Sequence, residues 1–207
     1  MFKAPSRSKR RLRAEIGSAA EAAATHLCNC AIEDMTAWPG PCCLAPANTE
    51  DRDWANSRLD LADIVVDQPS GNLGERIQHV NGALLARGYE RQIFIGSDCP
   101  TIDVTYLMAA NTSLEQHDVV LGPASDGGVV LMGTKGAWPA LADLPWSSAA
   151  LMQALIRTSR EQGHSLELLE ERCDVDRAAD LNALGPALVN DQRPARRAFR
   201  QWITTAL

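Results

Sequence analysis

Ten residues constrain this chain more than any others: Arg91-Gln92-Ile93-Phe94-Ile95-Gly96-Ser97-Asp98-Cys99-Pro100. The apolar run from Ile93 to Ile95, with charge before it and Gly-Ser-Asp after it, fits a strand buried on both faces, as in a parallel sheet covered by helices. Its end is abrupt. Gly96 frees the backbone, Asp98 puts a carboxylate just past the strand, and Pro100 stops the ladder. Ligands of open α/β sheets bind outside the carboxyl ends of the strands, so Asp98 sits where a ligand-facing acid belongs. It could instead cap the next helix, but Asp103 or Thr101 can do that, and we read Asp98 as functional.

The flanking sequence supplies the other layers. A capping box at Ser18-Ala19-Ala20-Glu21 predicts a helix over 18–37, stopped by Pro39-Gly40-Pro41. Residues 42–45 and 64–66 read as short buried strands, separated by a polar stretch over 46–58 with a short helix around Trp54. Leu73, Ile77, Val80 and Leu84 at helical spacing predict a helix over 73–87, closed by Gly88. Further helices are expected over 104–115, 148–162, 177–184 and 194–204, with strands at 119–121 and 166–169. The turn Asp126-Gly127-Gly128 returns the chain into 129–133 as an antiparallel member of the sheet. Helices alternating with short apolar strands give an α/β layered sheet, and 207 residues suffice for one domain spanning 1–207. Residues 193–207 form a C-terminal helical extension, where Phe199 and Trp202 offer a homodimer surface or could equally pack on the sheet.

A formal net charge of −6 argues against a nucleic-acid binder. The basic residues are uneven: Lys3, Arg7, Lys9, Arg10, Arg11 and Arg13 precede the first acid, Glu15. They read as a solvated tail, a transit peptide or a phosphate-gripping loop. No window approaches the ~18 apolar residues of a membrane span. Six cysteines without an export signal suggest reduced thiols in a cytoplasm. His26, Cys28 and Cys30 lack a matching second pair of metal ligands, so these thiols read as small buried hydrophobes.

Three acidic clusters follow three apolar strands: Asp98, Asp126, and the pair Asp174 and Asp176. Each alone is weak, since Asp is common in turns and Asp176 could merely cap the helix after it. If their strands are parallel neighbours, the carboxylates converge on one rim and suit a hard divalent cation. Magnesium takes one or two carboxylates and fills its shell with phosphate oxygens and water, which a nucleotide diphosphate or triphosphate supplies. The N-terminal Lys/Arg cluster would neutralise the remaining charge. Nothing supports nucleophilic catalysis: there is no Gly-x-Ser-x-Gly and no telling Cys/His pair.

These residues resemble the bacterial radical-SAM/selenodomain-associated transferase 1 family, of the nucleotide-diphospho-sugar transferase superfamily. The resemblance is carried by Phe2-Lys3-Ala4-Pro5, Lys9-Arg10-Arg11-Leu12, Gln68-Pro69-Ser70-Gly71-Asn72-Leu73-Gly74-Glu75-Arg76, Gly96-Ser97-Asp98-Cys99-Pro100, Asp126-Gly127-Gly128, Trp146-Ser147 and Asp174-Val175-Asp176. It implies a Rossmann-like glycosyltransferase-A three-layer sandwich, mostly parallel with one antiparallel strand. It also implies Mg2+ or Mn2+ on Asp98, Asp174 and Asp176, and Asp126 as the acceptor-side catalytic acid or base. Lys3, Pro5, Lys9, Arg11, Gly74, Arg76, Gly127 and Gly128 would bind the donor. The expected activity is transfer from a nucleotide sugar or a nucleoside triphosphate to a small-molecule acceptor in the cytoplasm, with no nucleic-acid or membrane partner. The alternative is an inactive nucleotide-binding or scaffold protein of the same fold. Four departures support the alternative. Only Met1-Phe2 stands for the family's first strand, which is truncated by a misplaced start or a real loss. Asn72 replaces an Asp, Val129-Val130 replace aromatics, and Arg177 replaces a Thr.

Overall fold

The computed structural model describes residues 1, 3–56 and 64–206. Phe2, which carries part of the resemblance, and the end of the polar stretch read over 46–58 lie outside the described residues.

The central apolar run forms β3 (Arg91–Ile95). It pairs antiparallel with β5 (Val129–Lys135), which pairs antiparallel with β4 (Val119–Pro123), and β4 runs parallel to β6 (Leu166–Leu168). β5 is thus the reversed strand that the Asp-Gly-Gly turn announced. Its register sets the alternation of faces. Phe94, Leu121 and Met132 lie level with one another and enter one apolar cluster, whereas Ile93, Val120 and Leu131 belong to another.

Helices cover both clusters. The first is closed by α4 (Leu73–Leu85), through Ile77, Val80 and Leu84, and by α6 (Leu151–Glu161). The second is closed by α5 (Val104–Ser113), through Tyr106, Leu107 and Ala110. Asp103 caps α5, its Oδ1 accepting from Tyr106 N at 2.8 Å, which leaves Asp98 free of that task.

A difference from expectation lies beyond β3. The strands β1 (Cys43–Leu44) and β2 (Ile64–Val65) pair parallel, but as a separate two-stranded sheet. No described strand joins them to β3, so β3 ends its sheet as an edge.

The basic opening is not a solvated tail. After a 3-10 turn at Pro5–Arg7 it forms α1 (Arg10–Ile16), whose Leu12 is fully buried. Leu12 enters a third apolar cluster with α2 (Ala19–Ala37), α7 (Ala178–Ala187) and α8 (Pro194–Ala206). The expected capping box at Ser18 is absent. Ser18 has helical dihedrals and makes no side-chain cap, because Gly17 hands α1 almost directly to α2. A true capping box opens α4, where Glu75 N donates to Asn72 Oδ1 at 3.0 Å and Asn72 N to Glu75 Oε2 at 2.7 Å.

The C-terminal helix packs on α2 rather than on the sheet. Phe199 is fully buried and stacks on His26 at 5.3 Å, with Trp202 beside both, so the apolar pair offered as a dimer surface is occupied within the chain. α8 also carries Arg196, with no exposed surface, which donates to Pro100 O at 3.0 Å, Cys30 O at 2.6 Å and Ile102 O at 3.0 Å, and pairs with Asp34 and Glu33. That network ties α2 and α8 to the loop after β3. A short helix, α3 (Thr49–Asn56), follows β1. No helix among the described residues is long and apolar enough to cross a membrane.

Candidate functional site

Asp98 stands on the loop leaving β3. A Cβ at Gly96, two residues earlier, would lie 2.4 Å from Asp98 Oδ1 and push that carboxylate out of its present position. The loop is pinned from the far side of the sequence: Val175 N donates to Asp98 O at 2.8 Å. Val175 itself is buried, so the acids on either side of it turn toward the rim. Asp98, Asp174 and Asp176 each bring one carboxylate oxygen to within 4.8 Å of the others. Asp176 is not a helix cap. Asp180 Oδ2 accepts from Asp176 N and Arg177 N, and Glu15 Oε2 accepts from Ala178 N at 2.7 Å, which provides for the start of α7.

Lys9 reaches into this group. Its ammonium lies 2.9 Å from Asp176 Oδ1 and 3.3 Å from Asp98 Oδ2, with only 8% of the side chain exposed. Its φ of +52° is left-handed backbone that a residue with a Cβ seldom adopts; such strain persists where the surroundings hold it. Arg11 adds a weaker contact to Asp176 Oδ2 at 3.4 Å. Burial alone would lower the Lys9 ammonium, but Asp98 and Asp176 outweigh it and hold its pKa above the ordinary value. Among the described residues Asp174 has no such cationic partner. Burial, then the charges of Asp98, Asp126 and Asp176, push its carboxyl up to about 6. Three hard oxygen donors, one of them short of positive charge, fit Mg2+ or Mn2+.

Asp126 stands near but apart. It is exposed on the β4–β5 turn, its Oδ1 accepting from Gly128 N at 2.8 Å, and it acts on Asp174 through its charge. Gly127 is a turn requirement: its φ is +88° and a Cβ would collide with the Ala149 carbonyl.

The other donor-binding candidates divide. Lys3 and Arg76 line a basic pocket of about 450 Å³ with Arg7, Arg10 and Arg13, while Lys9 and Arg11 turn toward the acids. Beneath that pocket lies Asp51, which the sequence reading missed. It is fully buried; Oδ1 accepts from Ala4 N at 2.8 Å, and Oδ2 has no partner among the described residues. Nothing in a polar stretch marked one acid as different from its neighbours. Pro5 is buried in its 3-10 turn. Gly74 serves packing, since a Cβ would meet Leu141 O and the Trp146 indole, which are themselves joined at 2.8 Å.

No curated protein matches the chain. Residues 32–148 match a family described as an uncharacterized protein conserved in bacteria, DUF2064. The chain belongs to that family. Among solved structures, a provisionally named nucleotide-diphospho-sugar transferase from Desulfovibrio desulfuricans G20 aligns with a TM-score of 0.88 at 21% identity, over 99% of this chain and 94% of that one. A Mycobacterium sp. strain JC1 homologue of Mycobacterium tuberculosis Rv0371c aligns with a TM-score of 0.52 at 16% identity, over 76% and 80%. At such identities the likeness speaks for the fold, an α/β arrangement of helices and mixed sheets.

The matched DUF2064 region contains Asp98, Asp126 and Arg76, whereas Lys9, Asp174 and Asp176 come from outside it. Two of the departures have structural roles. Asn72 keeps the cap of α4 and also donates to Ala142 O at 2.8 Å, which a carboxylate cannot do. Arg177 pairs with Glu15 at 3.0 Å and so ties α7 to α1.

Proposed function

We propose that this DUF2064 protein is a metal-dependent transferase that takes its group from a nucleotide-activated donor, a nucleotide sugar or a nucleoside triphosphate. The finer reading is a glycosyltransferase-A fold of the radical-SAM/selenodomain-associated transferase 1 type. One observation carries the proposal: Asp98, from the loop after β3, meets Asp174 and Asp176, from the segment after β6, beside the buried Lys9 ammonium.

A divalent cation held by the three acids would bind the donor's phosphate oxygens and take up the negative charge that develops on them. Lys9 and Arg11 lie close enough to share that charge and to orient the phosphates. Lys3, Arg76, Arg7, Arg10 and Arg13 offer the rest of the donor a second positive surface. Asp126, exposed at the rim, orients the acceptor hydroxyl and receives its proton.

The test is turnover of labelled nucleotide sugars and nucleoside triphosphates with Mg2+. Glycosyl transfer releases a nucleoside diphosphate, whereas nucleotidyl transfer releases pyrophosphate. Asp98→Asn should lower either rate at least about 100-fold. Failure of a folded protein to turn over either class overturns the proposal. The ammonium between Asp98 and Asp176 favours a second reading, in which Lys9 substitutes for the metal and the protein binds nucleotide without turnover. Thermal stabilisation by nucleotide without product supports that reading.

A further inference from the structure

The loop that carries Asp98 runs from the end of β3 at Ile95 to Asp103, the cap of α5. The ladder with β5 holds its start, and the cap bond to Tyr106 N holds its end. Asp98 lies between these anchors, its side chain 42% exposed and its Lys9 contact no shorter than 3.3 Å. A contact that long does not fix a carboxylate within the ~0.5 Å that a preorganised site needs, so its place depends on the backbone.

That backbone is gripped from the C-terminal end of the chain. Arg196 of α8 donates from Nε to Pro100 O and from Nη2 to Ile102 O, both at 3.0 Å. Arg193, which immediately precedes α8, donates from Nη1 to the same Ile102 O at 2.8 Å. A guanidinium is a planar fork, so two carbonyls held by one arginine are fixed in angle as well as in distance. Cys99 and Ile102 are buried, and Ile102 N donates to Cys99 O at 3.2 Å, which carries the constraint back to the residue after Asp98.

The fork is itself held still. Its other N–H groups go to Cys30 O, Glu33 and Asp34 on α2, so that each of the five has an acceptor. Asp191 braces Arg193 at 2.6 and 3.0 Å, and Arg193 also meets Asp34 at 2.9 Å. Apolar packing of equal volume often stabilises as well as a buried charge network does, and Phe199 already supplies such packing three positions on. What the arginines add is a defined geometry at the loop.

We propose that Arg196 and Arg193 are positioning residues for Asp98. By fixing the Pro100 and Ile102 carbonyls they set its distance from Asp174 and Asp176, so the rim is assembled only when α8 is docked. The effect on cation binding rests on the transferase reading, whereas the placement of the loop does not. The bond from Val175 N to Asp98 O, at 2.8 Å, joins the loop to the segment carrying the other two acids and reports its placement directly.

The test sets Arg196→Lys, which keeps the charge without the fork, against Phe199→Leu, which loosens the same contact between α2 and α8. Phe199 sits in the third apolar cluster, whereas Cys99 and Ile102 of the loop sit in the second. Hydrogen exchange of the Val175 amide and affinity for Mn2+ are read on each folded protein. Arg196→Lys should speed the exchange at least about tenfold beyond Phe199→Leu. It should also weaken Mn2+ binding at least about tenfold, while Phe199→Leu leaves that affinity within about twofold. In an Asp98→Asn background Arg196→Lys should weaken Mn2+ no further, because it acts through Asp98. Arg193→Gln removes one of the donors to Ile102 O and should move both readouts the same way by at least about threefold; it decides the matter if Arg196→Lys does not fold. Equal Val175 exchange in Arg196→Lys and Phe199→Leu overturns the proposal, as does Mn2+ affinity equal to wild type in Arg196→Lys, or a full further loss on top of Asp98→Asn. A folded wild type that binds no Mn2+, with Val175 exchange still responding to Arg196→Lys, overturns the transferase reading and leaves the positioning of the loop in place.

Discussion

Lys9 is the residue on which the rim's electrostatics turn. It is nearly buried, while Asp98 and Asp176 remain 42% and 38% exposed. Lys9→Met should therefore destabilise the chain by about 1–2 kcal/mol, below the full loss of a buried pair because both acids still reach water. Urea denaturation measures this, and millimolar Mg2+ should restore part of the loss by binding the native state. An unaffected midpoint would show that the ion pairs hold nothing together. Asn72 offers a finer contrast. Asn72→Ala removes the α4 cap at a cost of about 1 kcal/mol, whereas Asn72→Asp keeps the cap and loses only the donation to Ala142 O, so its midpoint should fall between wild type and Asn72→Ala. At this scale the sequence made the three acids readable, because strand ends are where ligand-facing carboxylates occur. It could not show that Lys9 turns toward those acids and Lys3 away from them, since consecutive side chains of an irregular turn carry no periodicity.

Among the elements, α8 shows what local pattern conceals. Its residues are legible as an amphipathic helix, but its partner is α2, some 160 residues earlier in the chain. Arg196 is the extreme case: a charged residue three positions before Phe199, on the same face, is fully buried against Pro100, Ile102 and Asp34. Arg196→Leu should cost about 3–5 kcal/mol in urea denaturation, because Asp34 would be left in the core without its main partner. The stacked His26 yields a pH signature. Burial lowers its pKa below the ordinary 6.5, so its contribution to stability is complete above that value and is lost as pH falls through 6.5 toward the folded value. Asp34 works the other way: burial pushes it up to about 6 in spite of Arg196 and Arg193, so its contribution grows as pH falls from there. The difference in melting temperature between wild type and His26→Phe isolates the histidine, and should narrow or reverse between about pH 7 and 5. A constant difference would contradict the assignment.

For the whole molecule, the alternation of short apolar strands with helices was enough to anticipate an α/β architecture and the reversal at β5. It was not enough to anticipate two sheets. Residues 42–45 and 64–66 look like strands of one sheet, and nothing local reveals that β1 and β3 face each other across an apolar slot. The folded N-terminus was equally hidden, because six basic residues obscure the i, i+4 pair Leu12 and Ile16 that packs α1 into the third cluster. The architecture matters to function because it brings residues 9, 98, 174 and 176 to one rim. The claim that this rim holds a metal and the phosphates of a nucleotide is tested most directly by titrating Mn2+ into the protein with and without a nucleoside diphosphate, following the free-ion electron paramagnetic resonance signal. The account predicts one Mn2+ site that nucleotide tightens, weakened at least about tenfold in both Asp98→Asn and Asp176→Asn. Equal Mn2+ binding by wild type and both variants, or no binding by a folded wild type in the presence of nucleotide, would contradict it.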